Sequence, residues 1–151
     1  MRFIVWGTIP IGQILGGLIA TVFGTIAAIW YIASVGGFDA IAAHERMLAT
    51  RFLEGVARIP GVRLIGIGDP ERVDERTPTF AIRVGSQHPQ ETSAALARRG
   101  IFTWDGNYYA IDLAERLGVQ GSGGMLRIGL AHYNTAEEVE RLLAELRGLV
   151  K

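Results

Sequence analysis

The sequence predicts an α/β (α+β) domain, a small mixed β-sheet with helices packed against it, preceded by an apolar N-terminal helix. Three observations lead there. After Phe38, stretches with helical apolar periodicity alternate with short runs rich in Val, Ile, Leu and Phe. Proline and glycine punctuate the joins, at Pro60-Gly61, Pro89 and Gly100. Residues 3–38, by contrast, contain no Asp, Glu, Lys, Arg or His. The chain is therefore divided into an apolar segment, 1–38, expected to pack on the remainder, and a domain of ordinary charge density, 39–151.

Within the apolar segment Pro10 suits a first turn, so a helix is expected from about Ile11, ending where Gly36-Gly37 supplies a left-handed cap. On a helical wheel Ile11, Leu15, Leu18, Ile19, Val22, Ile26 and Ile29 share one face. Gly12, Gly16, Ala20, Gly24 and Ala28 recur at every fourth position. That spacing lets two backbones approach closely, in membrane helix dimers and in soluble helices alike. Length alone admits a transmembrane helix, which needs about 20 apolar residues. Protein is the favoured cover over lipid for two reasons. Glycines inside the helix cost about 1 kcal/mol each relative to alanine, and neither flank carries a basic cluster. Leu18 is accordingly expected on the buried face, and Gly12, Gly16, Ala20 and Gly24 are expected to contact another helix or a second copy of the chain.

The second part is justified element by element. Asp39 caps a helix over 39–58 with Leu48, Phe52, Val56 and Ile59 on one face. Strands follow over 62–67 and 79–84, joined by a polar surface loop, 68–78. Pro89 opens a helix over 89–99, Gly100 closes it, and 101–104 reads as a short strand before an Asp105-Gly106 turn. A helix over about 110–117, a glycine-rich loop and a strand over 125–130 come next. Thr135 and Glu138 have the spacing of a capping box, and Val139, Leu142, Leu143, Leu146 and Leu149 form the stripe of a last helix.

Composition excludes several kinds of function. The 151 residues carry 15 basic and 15 acidic side chains, so the electrostatic attraction that dominates nucleic-acid binding is missing and no nucleic-acid partner is expected. There is no cysteine, hence no disulfide, thiolate metal site or cysteine nucleophile. Lys151 is the sole lysine, which leaves a buried Schiff-base amine without a candidate. His44, His88 and His132 are too far apart in sequence to share one element as metal ligands, so no metal is expected. The glycines at 121, 123 and 124 lack the Lys-Ser/Thr of a phosphate loop, and Gly66-Ile-Gly68 lacks the third glycine of a dinucleotide turn, so both are read as plain loops. Trp104, Tyr108 and Tyr109 are candidates to line a pocket, with core or interface packing as the alternative.

A family resemblance rests on particular residues: Tyr31 to Arg46, Thr77-Pro-Thr-Phe80, Arg99-Gly-Ile101, Gly106-Asn-Tyr-Tyr-Ala110, and above all Leu126-Arg-Ile-Gly-Leu-Ala-His-Tyr-Asn-Thr135 followed by Glu137-Glu138-Val139. These resemble the C-terminal small domain of class V aminotransferases of the cysteine desulfurase-like group, which are pyridoxal-phosphate enzymes. Trp6-Gly7-Thr8 is similar to the stretch that enters that domain. The resemblance implies that Arg127 grips a substrate carboxylate, a task for which the guanidinium fork is suited. An ion pair with a local Asp or Glu is the structural alternative for that residue. The resemblance also implies that the cofactor lysine and most of the phosphate cup belong to a large domain absent from these residues. Gly121-Ser-Gly-Gly124 fills the loop before the arginine strand, and Tyr109-Ala110 stands where some members have Cys-Ala.

The expected function is that of a stand-alone, non-catalytic small domain, truncated or engineered, serving as a folding scaffold, fusion element or oligomerisation module. Two alternatives are a partial pyridoxal-phosphate enzyme that needs a separate large domain and a membrane-anchored domain. No cofactor and no small-molecule substrate are expected, association through the N-terminal helix is the expected contact with other copies, and the expected location is cytoplasmic.

Overall fold

The structure is a computed structural model that describes residues 21–30, 32–34 and 36–150. The chain falls into two compact units, Met1–Ile41 and Ala42–Lys151. In the first, residues 21–30 and 32–34 are helical. Val22, Phe23, Ile26, Ile29 and Trp30 on this stretch are exposed. The Thr25 hydroxyl donates back to the Thr21 carbonyl at 2.6 Å, hiding its polarity within the helix. Gly24 lies here with open space where a Cβ would stand. Gly12, Gly16, Leu18 and Ala20 lie outside the described residues. Among the described residues no single helix is long and apolar enough to cross a membrane.

The elements that follow are α1 (Gly37–Ala57), β1 (Val62–Ile65), β2 (Thr79–Val84), α2 (Pro89–Ala97), β3 (Trp104–Gly106), α3 (Ile111–Arg116), β4 (Met125–Gly129) and α4 (Ala136–Leu149). The strands form one sheet in the order β1-β2-β4-β3, and every neighbouring pair is antiparallel. The expected mixed sheet is thus replaced by a purely antiparallel one.

Side chains alternate across a strand, so β2 and β4 each send every second residue to the helices. Phe80, Ile82 and Val84 of β2 and Leu126 and Ile128 of β4 meet Leu48, Phe52, Leu53 and Val56 of α1 and Val139, Leu142, Leu143 and Leu146 of α4 in the main core. The Phe52 and Phe80 rings lie 4.3 Å apart at its centre. α4 begins with the expected capping box: the Glu138 backbone N–H donates to the Thr135 hydroxyl, and the Glu138 carboxylate accepts from the Thr135 N–H. Acceptance of hydrogen bonds from the Asn134 side chain and the Thr135 backbone holds the Glu138 carboxyl below its usual range.

Two other expectations shift. The loop over 68–78 contains a 3-10 turn, Pro70–Glu75, opened by Asp69 accepting from the Glu71 N–H at 2.9 Å. The short strand lies later than expected, because Asp105 and Gly106 pair with Leu126 and Met125 instead of forming a turn. Only Trp104 belongs to both the expected and the observed strand.

Candidate carboxylate site on the open face of the sheet

The other face of the sheet carries the alternate residues. Register places Ile65, Ala81, Arg127 and Trp104 in one row across β1, β2, β4 and β3. Thr79 and Gly129 form the next row. Part of this face is covered by a second, smaller core of Ala114, Val119 and Met125, against which Ile65, Ala81, Tyr108 and Leu117 pack. Arg127 lies at its edge, exposed.

Arg127 has aromatic neighbours and, among the described residues, no acidic partner. Its Cζ sits 5.2 Å from the centroid of the Tyr108 ring and 5.9 Å from that of Trp104. Contacts of this kind are worth roughly 0.5–1 kcal/mol at an exposed position, enough to orient a guanidinium without neutralising it. Among the described residues no hydrogen bond or ion pair ends on the Arg127 side chain. The alternative reading, a pair with a local Asp or Glu, therefore does not hold within them. Trp104 is 62% exposed and Tyr109 97%, whereas Tyr108 is half-buried.

The position of Tyr108 depends on an unusual turn. Both Tyr108 and Tyr109 have positive φ, 55° and 64°, a region in which each such residue costs of order 1–3 kcal/mol. Neighbouring groups hold the turn. The Asn107 carbonyl accepts from the Ala110 N–H at 2.9 Å. The Asn107 side chain accepts from the Tyr109 N–H at 3.1 Å and donates to Gln120 Oε1 at 3.2 Å. The Tyr108 hydroxyl donates to the Met125 carbonyl at 2.6 Å, tying the turn to the strand that carries Arg127. Burial pushes the Tyr108 phenol well above its ordinary pKa, with the charge of Arg127 opposing and that of Asp105 assisting.

The glycine-rich loop acts as a structural partner of this turn. A Cβ on Gly124 would stand 2.2 Å from the Gly106 carbonyl oxygen, so only glycine permits the loop to approach β3. Arg83 on β2 clamps the loop from the sheet, donating to the carbonyls of Ser122 at 3.0 Å and Gly124 at 2.8 Å. Neither this clamp nor the strained tyrosine pair is signalled by composition or spacing.

The three histidines have local structural contacts. The His44 imidazole hydrogen-bonds the Asn134 carbonyl at 2.8 Å, His88 caps α2 by accepting from the Gln90 N–H, and His132 lies 4.0 Å from Glu45 with its ring edge-on to Tyr133. Among the described residues no three His, Cys, Asp or Glu side chains gather as a metal site. The described residues also do not fit pyridoxal phosphate. They include no lysine to bind its aldehyde, and the space beside Gly123 and Gly124 is taken by His88 and by the backbone of Gly106.

Comparison with known proteins gives a consistent answer. The family described as Aminotransferase class-V matches residues 17–142. A cysteine desulfurase of Salmonella agona is 36% identical over 131 residues, which is 87% of this chain and 29% of the relative. A probable cysteine desulfurase 2 of Mycobacterium leprae is 33% identical over 123 residues, 82% of this chain and 28% of the relative. Among solved structures, the apo cysteine desulfurase of Thermococcus onnurineus NA1 superposes with a TM-score of 0.71 at 28% identity, covering 82% of this chain and 29% of that one. The cysteine desulfurase CsdA of Escherichia coli gives 0.66 at 26% identity, with 83% and 29% covered. The chain thus spans under a third of the length of these relatives. Matched over most of its residues by the family and sharing its fold with two of its solved members, this chain belongs to the class V aminotransferases.

Proposed function

We propose that the chain catalyses nothing by itself and supplies the carboxylate-gripping small domain of a class V aminotransferase-type active site, whose lysine-bearing part comes from outside these residues. The observation that carries this is Arg127, which is exposed, aligned by Tyr108 and Trp104, and free of any acidic partner among the described residues. A guanidinium kept in this state is poised to form two parallel bonds with a carboxylate. The proposal departs from the expectation that no small molecule binds, and the unpaired guanidinium is the reason. With no cysteine in the sequence to accept sulfur, the reaction served is an amino-acid transformation without sulfur transfer to this chain.

The test is a titration of the isotope-labelled full chain with propionate and, in parallel, with the uncharged propionamide. Resonances of the Arg127 guanidinium and the Trp104 indole are expected to shift with propionate only, and Arg127→Met is expected to abolish the response. Equal shifts with the amide, or an unchanged response in the variant, would overturn the proposal. The expectation of a stand-alone scaffold or oligomerisation module is distinguished in the same sample: it requires no carboxylate response at Arg127.

A further inference from the structure

The hollow beside Arg127 is flanked by the rings of Phe102 and Trp104 and has a bare floor. Gly129 follows Arg127 by two positions on β4 and therefore lies on the same face, between Thr79 of the neighbouring strand and the segment leading into β3. Phe102 and Trp104 stand over the same hollow as Arg127 and Gly129, and they are 86% and 62% exposed. Two exposed rings beside one charged group are an unusual use of surface, since large apolar side chains gain roughly 1.5–3 kcal/mol when fully covered.

Gly129 has no backbone reason to be glycine. It is absent from the residues of positive φ. A Cβ built there would meet only the Thr79 hydroxyl oxygen, at the comfortable distance of 4.0 Å. A β-branched residue would suit a strand better than glycine does. What the missing side chain provides is the open floor between Thr79 and Phe102. Glycines 123 and 124 contrast with it, because their left-handed φ and crowded surroundings explain them without reference to a ligand.

We infer that this hollow is the side-chain subsite of the carboxylate site, and that the ligands it takes are carboxylates bearing a flat apolar group, such as aromatic amino acids. The inference rests on the proposed carboxylate role of Arg127 and adds the chemistry of the ligand's other end. The carboxylate lies on Arg127, and the apolar group lies on Gly129 between Phe102 and Trp104. Phe102, Trp104 and Gly129 are then specificity-determining residues. An apolar group resting against the two rings gains affinity from burial, whereas a short aliphatic acid leaves the hollow wet.

The test compares 3-phenylpropionate with propionate on the labelled full chain. We expect phenylpropionate to bind about tenfold more tightly, the equivalent of about 1.4 kcal/mol. Gly129→Val fills the floor, and its Cβ meets no backbone atom beyond its chain neighbours within 4 Å. It is expected to remove the tenfold preference of phenylpropionate over propionate, and a thermal unfolding curve on the same variant checks that the sheet has formed. If both acids bind through Arg127 with equal affinity, or if Gly129→Val keeps the preference, the subsite is wrong and the carboxylate role survives. If neither acid binds to the wild-type chain, or binding ignores Arg127→Met, both fall and the exposed rings are read instead as a contact face for another protein surface.

Discussion

The two faces of the sheet are built from the same strands and the same alternation, yet they serve opposite ends. On the helix side Phe80, Ile82, Leu126 and Ile128 are at most 3% exposed and closed over by α1 and α4. On the other side their immediate neighbours Thr79, Ala81, Arg127 and Gly129 are small, charged or side-chain-free, and the large residues beside them, Phe102 and Trp104, face outward. A single position along a strand thus separates a residue that holds the fold from one that the fold holds in place. The larger core lies on one face, while the other, covered in part by Ala114, Val119 and Met125, keeps an exposed Arg127 beside a hollow.

The sharpest test of this division is Phe80→Ala. It opens a cavity against Phe52 in the main core and should cost about 3–5 kcal/mol, read as a lowered urea midpoint with an unchanged slope. A loss below about 1 kcal/mol would show that the helix face does not carry the fold.

Tyr108→Phe probes the boundary between the faces. Loss of the hydroxyl bond to the Met125 carbonyl should cost about 1 kcal/mol near neutral pH. The phenol also sets a pH limit. Its folded pKa is raised by burial above the unfolded value near 10, so its contribution is complete below that value and is lost as pH climbs through the raised one. Wild-type stability is therefore expected to fall off from about pH 10 upward, and the phenylalanine variant should show a shallower decline over that limb. Identical alkaline limbs would remove Tyr108 as its origin.

Arg127→Met is the smallest expected effect. An exposed arginine with only ring contacts should change unfolding free energy by less than about 1 kcal/mol, while the response to carboxylates disappears. A loss above about 3 kcal/mol would instead mark a buried ionic partner.

Legibility in the sequence follows the same division. The helix face could be read, because its residues obey the two periods of helix and strand: the stripe of α4, its Thr135-Glu138 cap and strand β2 all stand where the pattern puts them. Arg127 is legible by resemblance, but its lack of an acidic partner among the described residues depends on where β3 and the tyrosine turn lie. Asp105-Gly106 is a strong turn signal, yet Gly106, at φ 118°, is held in the ladder opposite Met125, so β3 lies later than the pattern puts it. No propensity places two consecutive tyrosines in left-handed backbone. That conformation is imposed by Asn107 and by the Met125 carbonyl, groups that tertiary structure brings together. The significance of Gly129 was equally hidden, since a glycine's role depends on what surrounds it.

Strand order has a consequence for how the molecule comes together. The central pair joins β2 to β4, so the whole chain between Val84 and Met125, including α2, β3 and α3, must be looped out and closed before that ladder can form. The β1–β2 hairpin needs no such closure and can form early, whereas long-range pairing raises contact order and delays the transition to the native sheet. Arg127 lies on one strand of this long-range pair, and the two rings beside it, Trp104 and Tyr108, are carried within the segment that the pairing closes off. The rings flanking Arg127 thus need only the closure from Trp104 to Arg127, whereas Thr79, which borders Gly129, joins them only when the longer β2–β4 ladder has formed.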